Sequence, residues 1–157
     1  MPAPADVIKD TISMLNTLIE TCENGQKGYA TAADAVKDVR YKDLLRRNAD
    51  QRGRFASELQ AEVLRLGGKP KDSGTAAGAM HRGWIELRTA VTSKDEKAVL
   101  EECERGEDHA VKSYRDALAK PLAEPARAVV ARQANEVQRA HDSMRSLRDA
   151  EKAAGQH

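Results

Sequence analysis

Apolar and small residues recur at positions 8, 12, 15, 19, 22, 29, 33 and 36, in steps of three and four that gather them on one stripe of a helix. Between positions 6 and 37 only isolated glycines oppose helix, so the pattern predicts a first helix over 6–37, about 48 Å long at the usual rise per residue. The same spacing passes through Gln26, a polar side chain on an apolar seam. A break at Asp38-Val39-Arg40 leads to a second stripe of Leu45, Asn48, Arg52, Phe55, Leu59 and then Val63 or Leu66. This predicts a helix over 41–66, ended by Gly67-Gly68 because glycine adopts the left-handed conformation of a helix C-terminus without strain. The three-residue connection makes these two helices an antiparallel hairpin.

Lys69 to Gly74 is a polar linker, and beyond it Ala76, Ala79 or Met80, Gly83 or Trp84, Leu87 and Val91 repeat at helical spacing. A crossover helix over 75–92 is expected there. Ser93-x-x-Glu96 has the capping-box pattern and opens a helix over 94–119, with Leu100, Cys103, Glu107, Ala110, Tyr114 and Ala117 or Leu118 on its seam. A turn from Lys120 to Pro125 precedes a last helix over 125–152, whose inward positions are Val130, Gln133, Val137, Ala140 or His141, Met144 and Leu147. The expected fold is therefore all-α: one domain across 1–157, an antiparallel four-helix bundle made of two helical hairpins with an additional crossover helix.

A repeat supports the two-hairpin reading. Leu18 to Gly25 and Val99 to Gly106 both read apolar, apolar, Glu, x, Cys, Glu, x, Gly, 81 positions apart. Cys22 and Cys103 fall on the two seams as small buried hydrophobes. The glycines at 25, 28 and 106 lie inside helices, where each costs about 1 kcal/mol relative to alanine, and so mark close helix approach.

The polar residues on the seams are the first candidates for chemistry, since a buried polar group must be paired. Counting back from the turns puts Gln26 level with Arg52 and Glu107 level with Val137, so Gln26, Arg52 and Glu107 are expected to meet in one buried mid-bundle layer. An ion pair between Arg52 and Glu107 would repel a metal ion from that layer. Glu20, Glu23, Glu101 and Glu104 flank the seams and read as solvated faces, with Glu20 and Glu101 best placed to lean inward. His141 reads as a hydrogen-bonded residue at the bundle rim. An alternative reduced metal site would draw on Glu20, Glu101, Glu107 and His141.

Composition narrows the function classes. Thirty-two per cent of residues are charged, yet the formal net charge is +1, which argues against a nucleic-acid partner because no basic excess is available for phosphates. The aromatic residues number five, too few for a base-stacking surface. No run reaches the ~18 apolar residues of a membrane-spanning helix, and the N-terminal stretch lacks a basic, apolar signal. A cytoplasmic protein with no membrane partner is expected. Phosphate loops, nucleophile elbows and H-E-x-x-H are all missing from the chain.

Two hairpins joined by a long crossover, with a Glu on the first helix of each, resemble the ferritin-like superfamily. Leu18 to Gly25, Phe55 to Val63 and His81-Arg82-Gly83-Trp84 are similar to an uncharacterised bacterial four-helix-bundle family within it, a domain of unknown function associated with stress responses. That resemblance implies iron or manganese as a candidate cofactor and Glu20 and Glu101 as single-glutamate ligands. It also implies a Glu-x-x-His from each second hairpin arm. Here Arg52-Gly53-Arg54-Phe55 stands in place of the first, and Gln138 with His141 in place of the second. The resulting expectation is a non-enzymatic, cytoplasmic, stress-associated bundle without a cofactor, acting by self-association as a homo-oligomer or through a protein partner. The alternative is a metal-binding or redox protein that uses iron or manganese.

Overall fold

The computed structural model describes residues 3–71, 84, 87–93 and 95–154. These form five helices: α1 (Ala5–Ala35), α2 (Val39–Arg65), α3 (Leu87–Ser93), α4 (Glu96–Leu118) and α5 (Ala126–Ala154). The most extensive packing joins α1 to α2 and α4 to α5, the two hairpins; α1 also packs on α4 and α2 on α5, while α3 lies against α4 and α1. The four long helices thus close a bundle in which α2 and α4 face each other across the diagonal. Tyr29 bonds Glu107 and Cys22 bonds Tyr114, so seven residues up α1 correspond to seven down α4, and these helices run antiparallel. The result is a four-helix bundle with one short extra helix.

The helix ends follow local chemistry. Asp38 caps α2 by accepting from the Arg40 amide at 2.9 Å, the task for which a short acid at this position is suited. Gly67, at φ 84°, ends α2, and the Gly68 amide returns to the Val63 carbonyl at 2.9 Å. The expected capping box at Ser93 and Glu96 does not form. Asp95 caps α4 by accepting from the Lys97 amide at 3.0 Å, and the Ser93 hydroxyl donates to the Ala90 carbonyl. Glu96 is thereby released to accept from the backbone amides of Lys37 and Asp38, tying the α1–α2 turn to the start of α4. Of the expected crossover helix, residues 87–93 are helical; positions 75–83, 85 and 86 lie outside the described residues.

Apolar burial is divided in two. One cluster contains Leu15, Leu18, Ile19, Phe55, Leu59, Tyr114, Val130 and Val137; the other contains Tyr29, Leu45, Trp84, Leu87, Leu100, Cys103 and Met144. All four long helices contribute to both. Arg52 and Glu107 lie in sequence between the parts of α2 and α4 that feed the two clusters, so a polar layer separates them. Trp84 covers this layer from the side, edge-on to Tyr29 with ring centroids 5.1 Å apart. A Cβ on Gly28 or Gly106 would run into the indole, which is why both helices carry glycine there. No helix among the described residues is long and apolar enough to cross a membrane.

Candidate functional site

The mid-bundle layer is a closed network. Arg52 on α2 reaches across the diagonal to Glu107 on α4, with Nη1 to Oε1 at 2.6 Å and Nη2 to Oε2 at 2.8 Å. The Tyr29 hydroxyl donates to Glu107 Oε1, and the Arg52 guanidinium lies 5.6 Å from the Tyr29 ring centroid. Arg52 is 2 % and Glu107 0 % exposed. Burial alone would lower the Arg52 pKa, but the Glu107 carboxylate outweighs it and holds the guanidinium charged. Burial, followed by the Glu107 charge, pushes the Tyr29 hydroxyl well above its usual range, keeping it protonated as a donor.

A second chain of hydrogen bonds runs beside the first. Tyr114 donates to Gln133 Oε1 at 2.7 Å and meets Cys22 Sγ at 3.1 Å, while Gln133 Nε2 reaches the Phe55 carbonyl at 3.4 Å. Burial pushes the Cys22 thiol up to about 11 despite the Tyr114 bond, and burial raises Cys103 well above its usual range. Both cysteines are free and protonated, not reactive thiolates.

An open cluster lies on the outer face of the second hairpin. Glu104 and Asp108 stand one turn apart on α4, and His141 faces them from α5; one ligand atom of each lies within 4.8 Å of the others. His141 Nε2 meets Asp108 Oδ1 at 2.5 Å, a contact that needs a proton between them. On the other side of the ring, Nδ1 meets Asp142 Oδ1 at 3.3 Å. Hydrogen bonds from His141 and then Gln138 hold the Asp142 carboxyl below its usual range. Glu104 and His141 are buried whereas Asp108 is exposed, so the cluster opens to solvent on one side. Two arginines approach Glu104: Arg148 Nη1 at 2.7 Å from Oε2 and Arg145 Nε at 3.5 Å from Oε1.

The structure separates the residues expected to act together. Gln26 is exposed and is not in the buried layer. Its amide lies over Gly53, and Gly25 faces inward, its Cα side filled by the Arg52 chain. Steps through 25 or 26 fit the helical period equally well; the bulk of Arg52 selects the glycine. Of the four residues expected in a metal site, Glu107 is in the closed layer, Glu20 pairs with Lys71 at 2.6 Å, and Glu101 is exposed. His141 alone belongs to the open cluster. Glu104, expected on a solvated face, is buried. The neighbours the seam reading missed, Glu104, Asp108 and Asp142, carried one usable signal: two acids at i, i+4 on the helix opposite a histidine.

The mid-bundle layer does not fit the two-metal centre implied by the superfamily resemblance. Both Glu107 oxygens are already engaged by a guanidinium, and Gln138 supplies an amide where the second Glu-x-x-His would need its carboxylate. The donor set of the open cluster is different: one imidazole, two carboxylates and a third carboxylate orienting the ring. A search of the curated proteins finds no match. The family profile described as Domain of unknown function (DUF2383) matches residues 10–120, from α1 through the end of α4. With that span covering more than half of the sequence and a bundle of two hairpins beneath it, the chain belongs to the family Domain of unknown function (DUF2383).

Proposed function

We propose that this chain binds one divalent first-row transition ion, of the iron(II) or manganese(II) kind, through Glu104, Asp108 and His141. The observation that carries the reading is the convergence of three ligand atoms to within 4.8 Å. A shared ion about 2.1 Å from each requires small side-chain movements, the His141–Asp108 contact opening and the longer separations closing. One imidazole with two carboxylates suits these borderline and hard ions better than a thiophilic one. Asp142 at Nδ1 supplies the outer carboxylate that orients a ligating histidine and leaves Nε2 for the ion. A bound ion would replace the proton between Nε2 and Asp108, and would supply Lewis-acid or one-electron chemistry at a solvent-open position. The two free cysteines suit a reducing, cytoplasmic setting.

Self-association has less behind it. The large apolar side chains exposed among the described residues are Val39 and Leu64, near opposite ends of α2, and they form no contiguous patch of the kind that marks an interface.

Titrating Mn²⁺ into chelator-treated protein tests the reading. One equivalent is expected for the wild type and for Glu20→Gln and Glu101→Gln, with loss in His141→Ala. No binding by the wild type, or full binding by His141→Ala, would overturn it.

A further inference from the structure

Arg148 is placed where a bound ion would have to compete with it. Its Nη1 holds Glu104 Oε2 at 2.7 Å, while Nη2 and Nε reach Asp149 Oδ1 at 2.9 and 3.3 Å. The guanidinium thus bridges two carboxylates, one buried and one exposed: Glu104 is 8 % and Asp149 61 % exposed. A cation entering between Glu104, Asp108 and His141 would meet the positive charge of Arg148 already held on the Glu104 carboxylate. Arg145, at 3.5 Å from Oε1 and 56 % exposed, contributes less.

We infer that Arg148 is a built-in competitor at the Glu104–Asp108–His141 site: it neutralises Glu104 in the metal-free protein and yields it to a divalent cation while remaining on Asp149. This rests on the metal-binding reading and adds its regulation. The bridge makes the exchange inexpensive, because Arg148 keeps one carboxylate when it gives up the other. Metal-free Glu104 is a buried carboxylate and needs a cation beside it; the arginine provides one that is tethered and reversible. By reciprocity, whatever strengthens the Arg148–Glu104 contact weakens the ion by the same factor. The device sets the site's threshold so that the ion is taken up only when abundant. The first hairpin lacks this bridge, since the positions 81 residues earlier than Arg148 and Asp149 are Gly67 and Gly68.

The two halves of the bridge predict opposite effects. Removing the competitor with Arg148→Gln should tighten Mn²⁺ binding roughly tenfold, the consequence of losing one nearby like charge in a partly solvated site. Removing its landing place with Asp149→Asn should concentrate Arg148 on Glu104 and weaken Mn²⁺ several-fold. Calorimetric titration of full-length wild type, Arg148→Gln, Asp149→Asn and His141→Ala, each verified as helical by circular dichroism, measures this directly. Opposite shifts in the first two variants, both dependent on His141, are expected. His141-dependent binding with equal affinity in wild type and both variants overturns the competitor and leaves the metal site standing. Absence of binding in every chain overturns both.

Discussion

The two hairpins place the same three positions together and fill them with different chemistry. Counting 81 residues back from Glu104, Asp108 and His141 gives Glu23, Lys27 and Gln60. In the first hairpin Gln60 Nε2 donates to Glu23 Oε1 at 3.4 Å; in the second the equivalent His141 bonds Asp108 instead and lies within 4.8 Å of Glu104. Lys27 puts a positive charge where Asp108 puts a negative one, and Gln60 puts an amide where His141 puts an imidazole. The scaffold therefore supplies proximity twice, and two residue identities decide whether it can receive a cation. The bundle centre shows the same divergence. Arg52 and Gln133 are counterparts, as are Gln26 and Glu107; the charged members pair with each other, Gln133 joins Tyr114, and Gln26 is outside.

The largest effect should come from breaking the charged pair at the centre. Arg52→Met would leave Glu107 buried without its cation, and the unfolding free energy should fall by about 3–5 kcal/mol in chemical denaturation. The counterpart change Gln133→Leu removes neutral hydrogen bonds and should cost about 1–3 kcal/mol. Equal losses would show that charge is not what distinguishes the two positions.

The equivalent glycines should differ next. Gly106→Ala drives a methyl into the Trp84 ring and should cost about 1–3 kcal/mol, the range for overpacking a filled site. Gly25→Ala meets the Arg52 chain, with Cγ 3.3 Å from the new Cβ. A small shift of that chain offsets the gain of about 1 kcal/mol in helix propensity, so its thermal midpoint should scarcely move.

Converting one hairpin into the other sharpens the comparison at the cluster. Lys27→Asp with Gln60→His should add a second, weaker Mn²⁺ equivalent, read by titration. Retention of single-equivalent binding would mean that Asp142 or some other feature particular to the second hairpin is required beyond the three positions.

The smallest effect concerns the two equivalent, free cysteines. Burial raises the Cys22 thiol to about 11 in the folded state, above its unfolded value. Its protonated form therefore contributes stability that is fully present below about pH 9 and is lost as pH rises through 11. Thermal melts of the wild type should decline over that window, and Cys22→Ala should decline less steeply there. The same slope in both chains would assign the loss to Cys103 and the buried tyrosines instead.

The helices and their hairpin pairing were legible in the sequence because burial has to follow the helical period. Stripes such as Leu15, Ile19 and Cys22, or Leu45, Phe55 and Leu59, admit one buried face each. The ends were less legible. Ser93 and Asp95 both precede α4, and both offer an oxygen; only the nearby α1–α2 turn, with amides that Glu96 can satisfy, shows why Asp95 is the cap.

The candidate site followed the same division. Arg52 and Glu107 could be singled out from the chain because ionisable residues on apolar seams demand partners. Glu104 could not, since it shares the i, i+3 spacing of Glu101 and the general expectation for a charged residue is exposure. The sequence by itself determined two in-register helical hairpins and a charged interruption of their core, because periodicity is a property of each helix alone. Tertiary structure decided that Gly25 and not Gln26 faces Arg52, and that Glu104 and not Glu101 joins His141. The first choice turns on one residue, about 100° around the helix axis, and the second on three residues, a net turn of about 60°; only the bulk and charge of the neighbouring helices set those rotations.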